Sequence, residues 1–133
     1  MLSYTTIASG PESLGAFALE AQGRTLRFER HGEHFEPTPA GAFPEDRLPD
    51  LLEALSSLRP EAGIHTGPAV PAEGFGKPTL TLRISPKKGA PQTIVFGAGD
   101  SWRSTSVFYL RVAGVDATFV IAQSKVRALS AAF

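Results

Sequence analysis

The sequence predicts an α+β fold: a mostly antiparallel sheet with one leucine-rich helix packed on one face and a short C-terminal helix. From Thr79 onward, apolar residues recur at every second position, which is the period of a half-buried antiparallel sheet. Between Leu48 and Leu58, leucines recur at helical spacing and form one apolar stripe. The alternating positions are Leu80, Leu82, Ile84, Ile94, Phe96, Phe108, Leu110, Val112, Phe119 and Ile121.

The first part of the chain predicts a small antiparallel meander. Its strands are expected over Leu14–Ala21 and Thr25–Arg30, followed by a short third strand that carries Phe35. Met1–Ser13 is polar and contains a Gly-Pro pair, so residues 1–13 are expected to form a flexible leader. Residues 14–133 are then expected to form a single α+β domain.

The leucine-rich helix follows a loop rich in Pro, Gly and Ala. Pro49 suits the first turn of a helix, where its missing N–H costs nothing. Asp46 and Asp50 bring negative charge to the helix start, which suits the macrodipole, and Arg59-Pro60 ends the helix.

The second half predicts short strands with loops between them. Ala62–Gly76 is rich in Gly and Pro and is expected to be irregular, with one short strand at most between Ile64 and Val70. We expect Gly97 to end a strand and Gly97–Ser106 to be a loop. A final helix is expected from about Ser124, which would be its N-cap.

The bulk composition argues against several function classes. The 133 residues include 13 Lys plus Arg and 13 Asp plus Glu, for a formal net charge of zero. A nucleic-acid binder needs a cationic surface, so we expect no nucleic-acid partner. The same balance argues against adhesion to an anionic membrane surface.

Cysteine chemistry and membrane insertion are also disfavoured. With 0 Cys, the chain has no disulfide, thiolate zinc site or cysteine nucleophile. Met1–Gly10 has neither a basic start nor an apolar core, so no signal peptide is predicted. No stretch approaches the roughly 20 apolar residues of a membrane-spanning helix, so we expect no direct membrane insertion.

Motifs that carry chemistry are weak in this sequence. His31 and His34 flank a turn and are expected to point in different directions, so we predict no metal site. Gly97-Ala98-Gly99-Asp100 follows a strand but lacks the third glycine and the helix of a dinucleotide-binding loop. No Gly-x-Ser-x-Gly elbow is present. We therefore predict no catalytic residue, no cofactor and no enzymatic activity.

Candidate partner-binding residues lie near the predicted 97–106 loop. Trp102 is the only tryptophan and is followed by Arg103, which suits either an anchor for a partner or a side chain folded over the edge of the core. Tyr109 and Arg111 alternate with core positions of their strand and should lie on the outward sheet face. That face could dock a partner, or the N-terminal meander could cover it.

Several landmarks carry a family resemblance. Gly74-Phe75-Gly76-Lys77-Pro78 precedes a strand, Gly97 follows another, and a strand bearing Tyr109, a further strand and a short helix complete the pattern. Over roughly Leu14 to Leu129 this resembles the bacterial domain-of-unknown-function family 4340, whose units occur beside gliding-motility-type ABC transporter auxiliary proteins. The resemblance implies an extracytoplasmic location and transporter or envelope partners, and it implies no catalytic residue.

Together these features predict a non-catalytic interaction or scaffold domain of a bacterial envelope or ABC-transport-associated assembly. Trp102 and Tyr109 would be its anchors, with Arg103 and Arg111 as the polar rim. The alternative is a small-ligand binding module with a pocket between the sheet and the Ala62–Gly76 loop.

Overall fold

The structure is a computed structural model that describes residues 14–21, 23–32, 34–38, 43–56, 58–87 and 90–131. The leader predicted for residues 1–13 lies outside the described residues. The strands are β1 (Leu14–Ala21), β2 (Arg24–His31), β3 (His34–Thr38), β4 (Ala62–Thr66), β5 (Leu80–Pro86), β6 (Gln92–Trp102), β7 (Thr105–Val112) and β8 (Ala117–Ala122). The helices are α1 (Leu48–Ser56) and α2 (Gln123–Ser130), and 3₁₀ turns form at Glu45–Arg47 and Pro71–Glu73.

The described strands form one antiparallel sheet in the order β3-β2-β1-β5-β6-β7-β8-β4. The predicted α+β class with a mostly antiparallel sheet is confirmed at this level. The meander β1–β3 joins the sheet edge-on, because β1 pairs with β5. It therefore extends the sheet, and the expectation that it could cover the outward face is wrong.

One apolar cluster forms the core. Most of the alternating positions predicted from the sequence are buried in it, including Leu82, Phe96 and Ile121, while Phe108 and Phe119 are partly buried and pack against it. Leu51 and Leu55 of α1 belong to the same cluster and are almost fully buried. Burial of such side chains stabilises the fold by about 1.5–3 kcal/mol each.

Aromatic rings fill the part of the core beneath the meander. Phe17 of β1 stacks on Phe28 of β2 with centroids 4.8 Å apart, and Phe35 of β3 meets Phe17 edge-on at 5.2 Å. Phe43, just before the 3₁₀ turn at Glu45–Arg47, packs edge-on against Phe28 at 5.3 Å. These offset geometries are the favourable ones for aromatic pairs, and they tie the chain leading into α1 to the meander.

The C-terminal helix differs from its prediction at its start. α2 begins at Gln123, with Ala122 as N-cap, so Ser124 lies inside the first turn and does not cap it. Instead, Gln123 Nε2 donates to the carbonyl oxygen of Val107 at 3.0 Å. Val126 and Leu129 bury one face of α2, which contacts α1, β7 and β8. Neither helix of the described chain has the length and apolar character needed to cross a bilayer.

Gly97 does not end a strand, contrary to the sequence-based expectation. β6 continues through it to Trp102, so the predicted 97–106 loop is largely strand. Phe96 pairs with Leu110 and Gly99 with Phe108, so Gly97 and Ala98 together oppose one residue of β7. This is a β-bulge, which bends the strand without ending it.

Candidate binding site on the outer sheet face

The face of the sheet opposite the core cluster, here called the outer face, bears the candidate site. Val107, Thr118 and Val120 are buried on it outside the main cluster, and Tyr109 and Arg111 are partly exposed there. These residues belong to β7 and β8, so the part of the outer face that is shielded from water lies mainly on these two strands. Something must cover it there.

Residues 67–78, here called the strap, cover the part of this face around Thr118, whose Oγ1 donates to Glu73 of that segment. Val107 and Val120 line a cavity that is described below. The strap begins where the Gly67 N–H donates to the carbonyl oxygen of Asp116 at 2.9 Å. Just beyond its end, Thr79 donates from its N–H to Phe96 O at 2.8 Å and from Oγ1 to Gly97 O at 2.8 Å. The strap is thus held at one end to the turn between β7 and β8 and, just beyond its other end, to β6. It was expected only as an irregular loop.

Two glycines let the strap approach the bulge of β6. A Cβ atom at Gly97 would lie 2.2 Å from the carbonyl oxygen of Glu73, far inside contact distance. Gly74 has a φ of +77°, and a Cβ atom there would lie 2.7 Å from that of Ala98. Gly97 is therefore needed for close approach of two backbones rather than for a turn.

Glu73 fastens the middle of the strap to the sheet. Its side chain is 4% exposed, and its carboxylate accepts three hydrogen bonds. His65 Nε2 lies 2.5 Å from Oε2, while Thr118 Oγ1 and the Val70 N–H donate to Oε1 at 3.0 and 3.2 Å. A buried carboxylate is tolerated only with such partners. We call Glu73, His65 and Thr118 the latch.

A bulge in β4 brings His65 into the latch. Gly63 pairs with Phe119 and His65 with Thr118, so Ile64 is an extra residue in β4. Without this insertion the register would place Ile64, rather than His65, opposite Thr118. Bulges commonly re-aim a side chain in this way, and here the side chain reaches a buried carboxylate.

The geometry favours a charged imidazole at His65. Nδ1 contacts the carbonyl oxygen of Thr66 at 3.0 Å and Nε2 contacts the Glu73 carboxylate, so both ring nitrogens face acceptors and both must donate. The bonds to Thr66 and Glu73 raise the pKa of His65 above its ordinary value, against opposition from burial and from Arg111. Burial pushes the pKa of Glu73 up, but the bonds from His65, Thr118 and Val70 outweigh it and leave that pKa lowered.

Arg111 supports the latch from below. Its guanidinium donates to Thr118 Oγ1 at 2.7 Å and to Asp116 Oδ1 at 3.3 Å. Its side chain is only 17% exposed. Because the Thr118 hydroxyl accepts from Arg111, its own proton is directed to Glu73. Arg111 also lines a cavity of about 540 Å³ with Phe75 of the strap.

The β6–β7 hairpin carries Trp102 and Arg103. Trp102 pairs with Thr105, so Arg103 and Ser104 form a two-residue loop. Their φ values are +47° and +65°, as in a type I′ turn, although neither residue is glycine, asparagine or aspartate. The Arg103 guanidinium lies over the Trp102 ring, 4.8 Å from its centroid, in a cation–π contact.

A cavity of about 490 Å³ lies between this hairpin and the β4 edge of the sheet. Its lining includes Trp102, Arg103 and Tyr109 from the hairpin, and Glu61 and Ile64 from the opposite side. We call it the hairpin cavity. Three of the four residues predicted to bind a partner thus lie together, and Arg111 lines the other cavity across the latch.

Asp100 is the remaining charged group of the hairpin cavity. The Tyr109 hydroxyl donates to Asp100 Oδ2, and the Ser101 N–H donates to Oδ1 at 2.7 Å. These bonds lower the pKa of Asp100. The bond to Asp100, followed by burial, raises the pKa of Tyr109 to about 12. The tyrosine therefore stays neutral and the aspartate stays ionised at physiological pH.

The described residues show no constellation for metal binding. No group of three or more His, Asp or Glu among them could hold a metal ion. His31 and His34, which were expected to point in different directions, are direct cross-strand partners in the register of β2 and β3. His65 engages Glu73 from another part of the chain.

The comparisons with known proteins contribute no assignment. No protein-family model, no curated protein and no solved structure matches this chain. The resemblance inferred from sequence motifs stays a prediction, and the site must be interpreted from its own geometry.

Proposed function

We propose that the domain is a non-catalytic interaction module that binds a protein partner through the hairpin cavity. The observation that carries this proposal is the placement of Trp102 and Tyr109 together in an open depression of about 490 Å³. Aromatic side chains that line a depression are typical binding anchors, because they bury large apolar area at little cost in conformational entropy.

The turn beside the cavity supports this assignment. Arg103 and Ser104 both hold positive φ, a conformation that costs energy for residues other than glycine. Asn-Gly would form the same turn without that cost. Backbone strain of this kind clusters at functional sites, and here it lies beside the only tryptophan of the sequence.

In this proposal Arg111 and the latch residues form a rigid support beside the hairpin cavity. Arg111 is committed to Thr118 and Asp116, so its role is to position the latch beneath the strap. Arg103, which is exposed, keeps its proposed role at the polar rim of the binding site. Arg111, which was also expected at the rim, is instead proposed to support the latch. Leu51 and Leu55 of α1 are buried in the apolar core, and the proposal takes α1 as part of the rigid scaffold behind the site.

The family resemblance extends the proposal to a setting. It points to an assembly of the bacterial envelope or of an ABC transporter, in which the partner is a transporter or envelope component. The proposed role is recognition alone.

A small-ligand binding module is the second candidate, favoured by the cavity dimensions. Both cavities, of about 490 and 540 Å³, fall in the range of roughly 300–1,000 Å³ that is usual for ligand sites. The hairpin cavity borders Ala62, Gly63 and Ile64 of β4, which is the start of the 62–76 segment and an edge strand of the sheet rather than a loop over it. A thermal-shift screen with metabolites separates the two candidates, since a ligand module shows a shift with one compound that Trp102→Ala abolishes.

Site-specific photocrosslinking tests the partner proposal. A photoreactive amino acid is placed at exposed Thr105 beside Trp102, and separately at Arg27, which is exposed on β2 far along the same face. In cells that produce the protein, we expect position 105 to capture a defined protein and position 27 not to. The Trp102→Ala, Arg111→Ala double variant should lose the capture at position 105. Equal capture at both positions, or capture unchanged in the double variant, would refute the proposal.

A further inference from the structure

The charges around the hairpin cavity are unbalanced. Among the described lining residues, Glu61 and Asp100 contribute carboxylates and Arg103 contributes one guanidinium. Asp100 already holds the Tyr109 hydroxyl and the Ser101 N–H, and its carboxylate stays ionised between them. The cavity therefore combines an electron-rich indole with an excess of negative charge.

A cation is favoured over the Trp102 ring of this cavity, and the Arg103 guanidinium already occupies that position. This guanidinium lies 4.8 Å from the Trp102 ring centroid, while the Arg103 side chain is exposed and its backbone is held in the strained turn. An exposed arginine side chain changes rotamer readily, and within the described part of the chain the contact that holds the Arg103 guanidinium is its cation–π contact with Trp102. The protein thus fills its own aromatic surface with a cation that an incoming group can replace.

We propose that the hairpin cavity binds a basic side chain, an arginine above all, that the partner presents on an exposed segment. This inference rests on the proposed function and names the chemistry of that partner. The incoming guanidinium stacks on Trp102 in the place of Arg103 and pairs with Glu61 and Asp100. Planar guanidinium groups suit both contacts, because they stack on aromatic rings and donate in a fixed fork to carboxylates.

A negatively charged group on the partner does not fit this cavity. A carboxylate or phosphate would be attracted by Arg103 alone and repelled by Glu61 and Asp100. A neutral polar side chain would lose both the cation–π contact and the ion pairing. The surface therefore selects a cation by charge as well as by shape.

Tryptophan fluorescence gives a specific readout of this site. The chain has 1 Trp, so its indole emission reports the hairpin cavity alone. The probes are the tripeptide acetyl-Gly-Arg-Gly-amide and its citrulline counterpart, which has nearly the same shape but no charge. We expect a saturable change with the arginine peptide, and affinity about tenfold weaker for the citrulline peptide.

Variants sharpen the test. Glu61→Gln should weaken binding of the arginine peptide a few-fold, because it removes one carboxylate without changing shape. Arg103→Ala should tighten it, because it removes the built-in competitor; a structural role for Arg103 predicts no such gain. Arg27→Ala, far along the same face, should leave the affinity unchanged. Circular dichroism confirms that each variant is folded.

Three results would overturn the inference. The first is equal affinity for the two peptides. The second is the absence of a saturable fluorescence change up to the solubility limit of the peptides, even in the Arg103→Ala variant. The third is weaker binding of the arginine peptide to the Arg103→Ala variant than to the wild-type protein. If a partner is still captured at position 105 in any of these cases, the proposed interaction function is retained and only the proposal of a basic side chain is refuted. If the otherwise wild-type protein captures no partner at position 105, the proposed function itself is refuted.

Discussion

Replacement of Glu73 should release the strap from the outer face. In Glu73→Ala the carboxylate that accepts from His65, Thr118 and Val70 is lost. Breaking a fully buried, hydrogen-bonded pair costs about 3–5 kcal/mol. The His65 side chain is 32% exposed, so water compensates part of this loss. We therefore expect the free energy of unfolding to fall by about 2–4 kcal/mol.

The conservative replacement separates charge from shape. Glu73→Gln keeps an oxygen for Thr118 and Val70 and removes the negative charge that faces His65. We expect a smaller loss, of about 1–2 kcal/mol. Urea unfolding followed by circular dichroism measures both variants. A Thr66→Ala variant serves as control, because only the backbone carbonyl of Thr66 takes part in the latch.

The latch also predicts a pH profile with two limits. The pKa of Glu73 is lowered in the fold from an ordinary value of 4.5, so its contribution is present above that value and is lost as pH falls. The pKa of His65 is raised from 6.5, so its contribution is fully present below 6.5 and is lost as pH rises through the raised pKa. The latch is therefore strongest between about pH 5 and 6.5.

Two outcomes would refute this account of the latch. The first is Glu73→Ala with wild-type stability and unchanged amide exchange in residues 67–78. The second is a Glu73→Gln variant that loses as much stability as the wild-type protein does when pH rises above 6.5, because the variant no longer has the carboxylate that holds the imidazolium.

Three further predictions concern the scaffold. Leu55→Asp should unfold the domain, because Leu55 is 2% exposed in the core and a buried charge has no partner there; a variant with the wild-type melting temperature would contradict the core assignment. Gly97→Ala should destabilise by about 1–3 kcal/mol through its clash with the strap carbonyl, whereas Gly76→Ala, with open space around it, should be nearly neutral in the same urea titration. Ser104→Gly should stabilise by about 1 kcal/mol by relieving a positive φ, while Ser106→Gly in β7 should not; equal effects would argue against the strained turn.

Local periodicity explains why most of the fold was predictable. Alternation in Leu80–Ile84 and in Phe108–Val112 follows from burial of one sheet face, and helical spacing from Leu48 marks α1, so these elements require no knowledge of the partner strands. Gly97 was misinterpreted because glycine at a bulge and glycine at a turn look the same in a sequence. Only the passing strap, which is remote in sequence, distinguishes them.

The candidate site was predictable only in part. Trp102, Arg103 and Tyr109 were identified by residue type, and their placement in one cavity depends on the type I′ turn, which lacks its usual Asn-Gly signal. Glu73 was missed because it belongs to a segment without periodicity. Its partner Thr118 is 45 residues away, so no local pattern marks the pair.

Hydrogen exchange in the complex tests the central claim most directly. The protein is compared free and after purification with its captured partner, and amide exchange is followed along the chain. The interaction proposal predicts slower exchange in residues 99–107 and 61–66, which border the hairpin cavity, and no change in β2 and β3. Protection confined to β2 and β3 or to the two helices would place the binding surface elsewhere and contradict it.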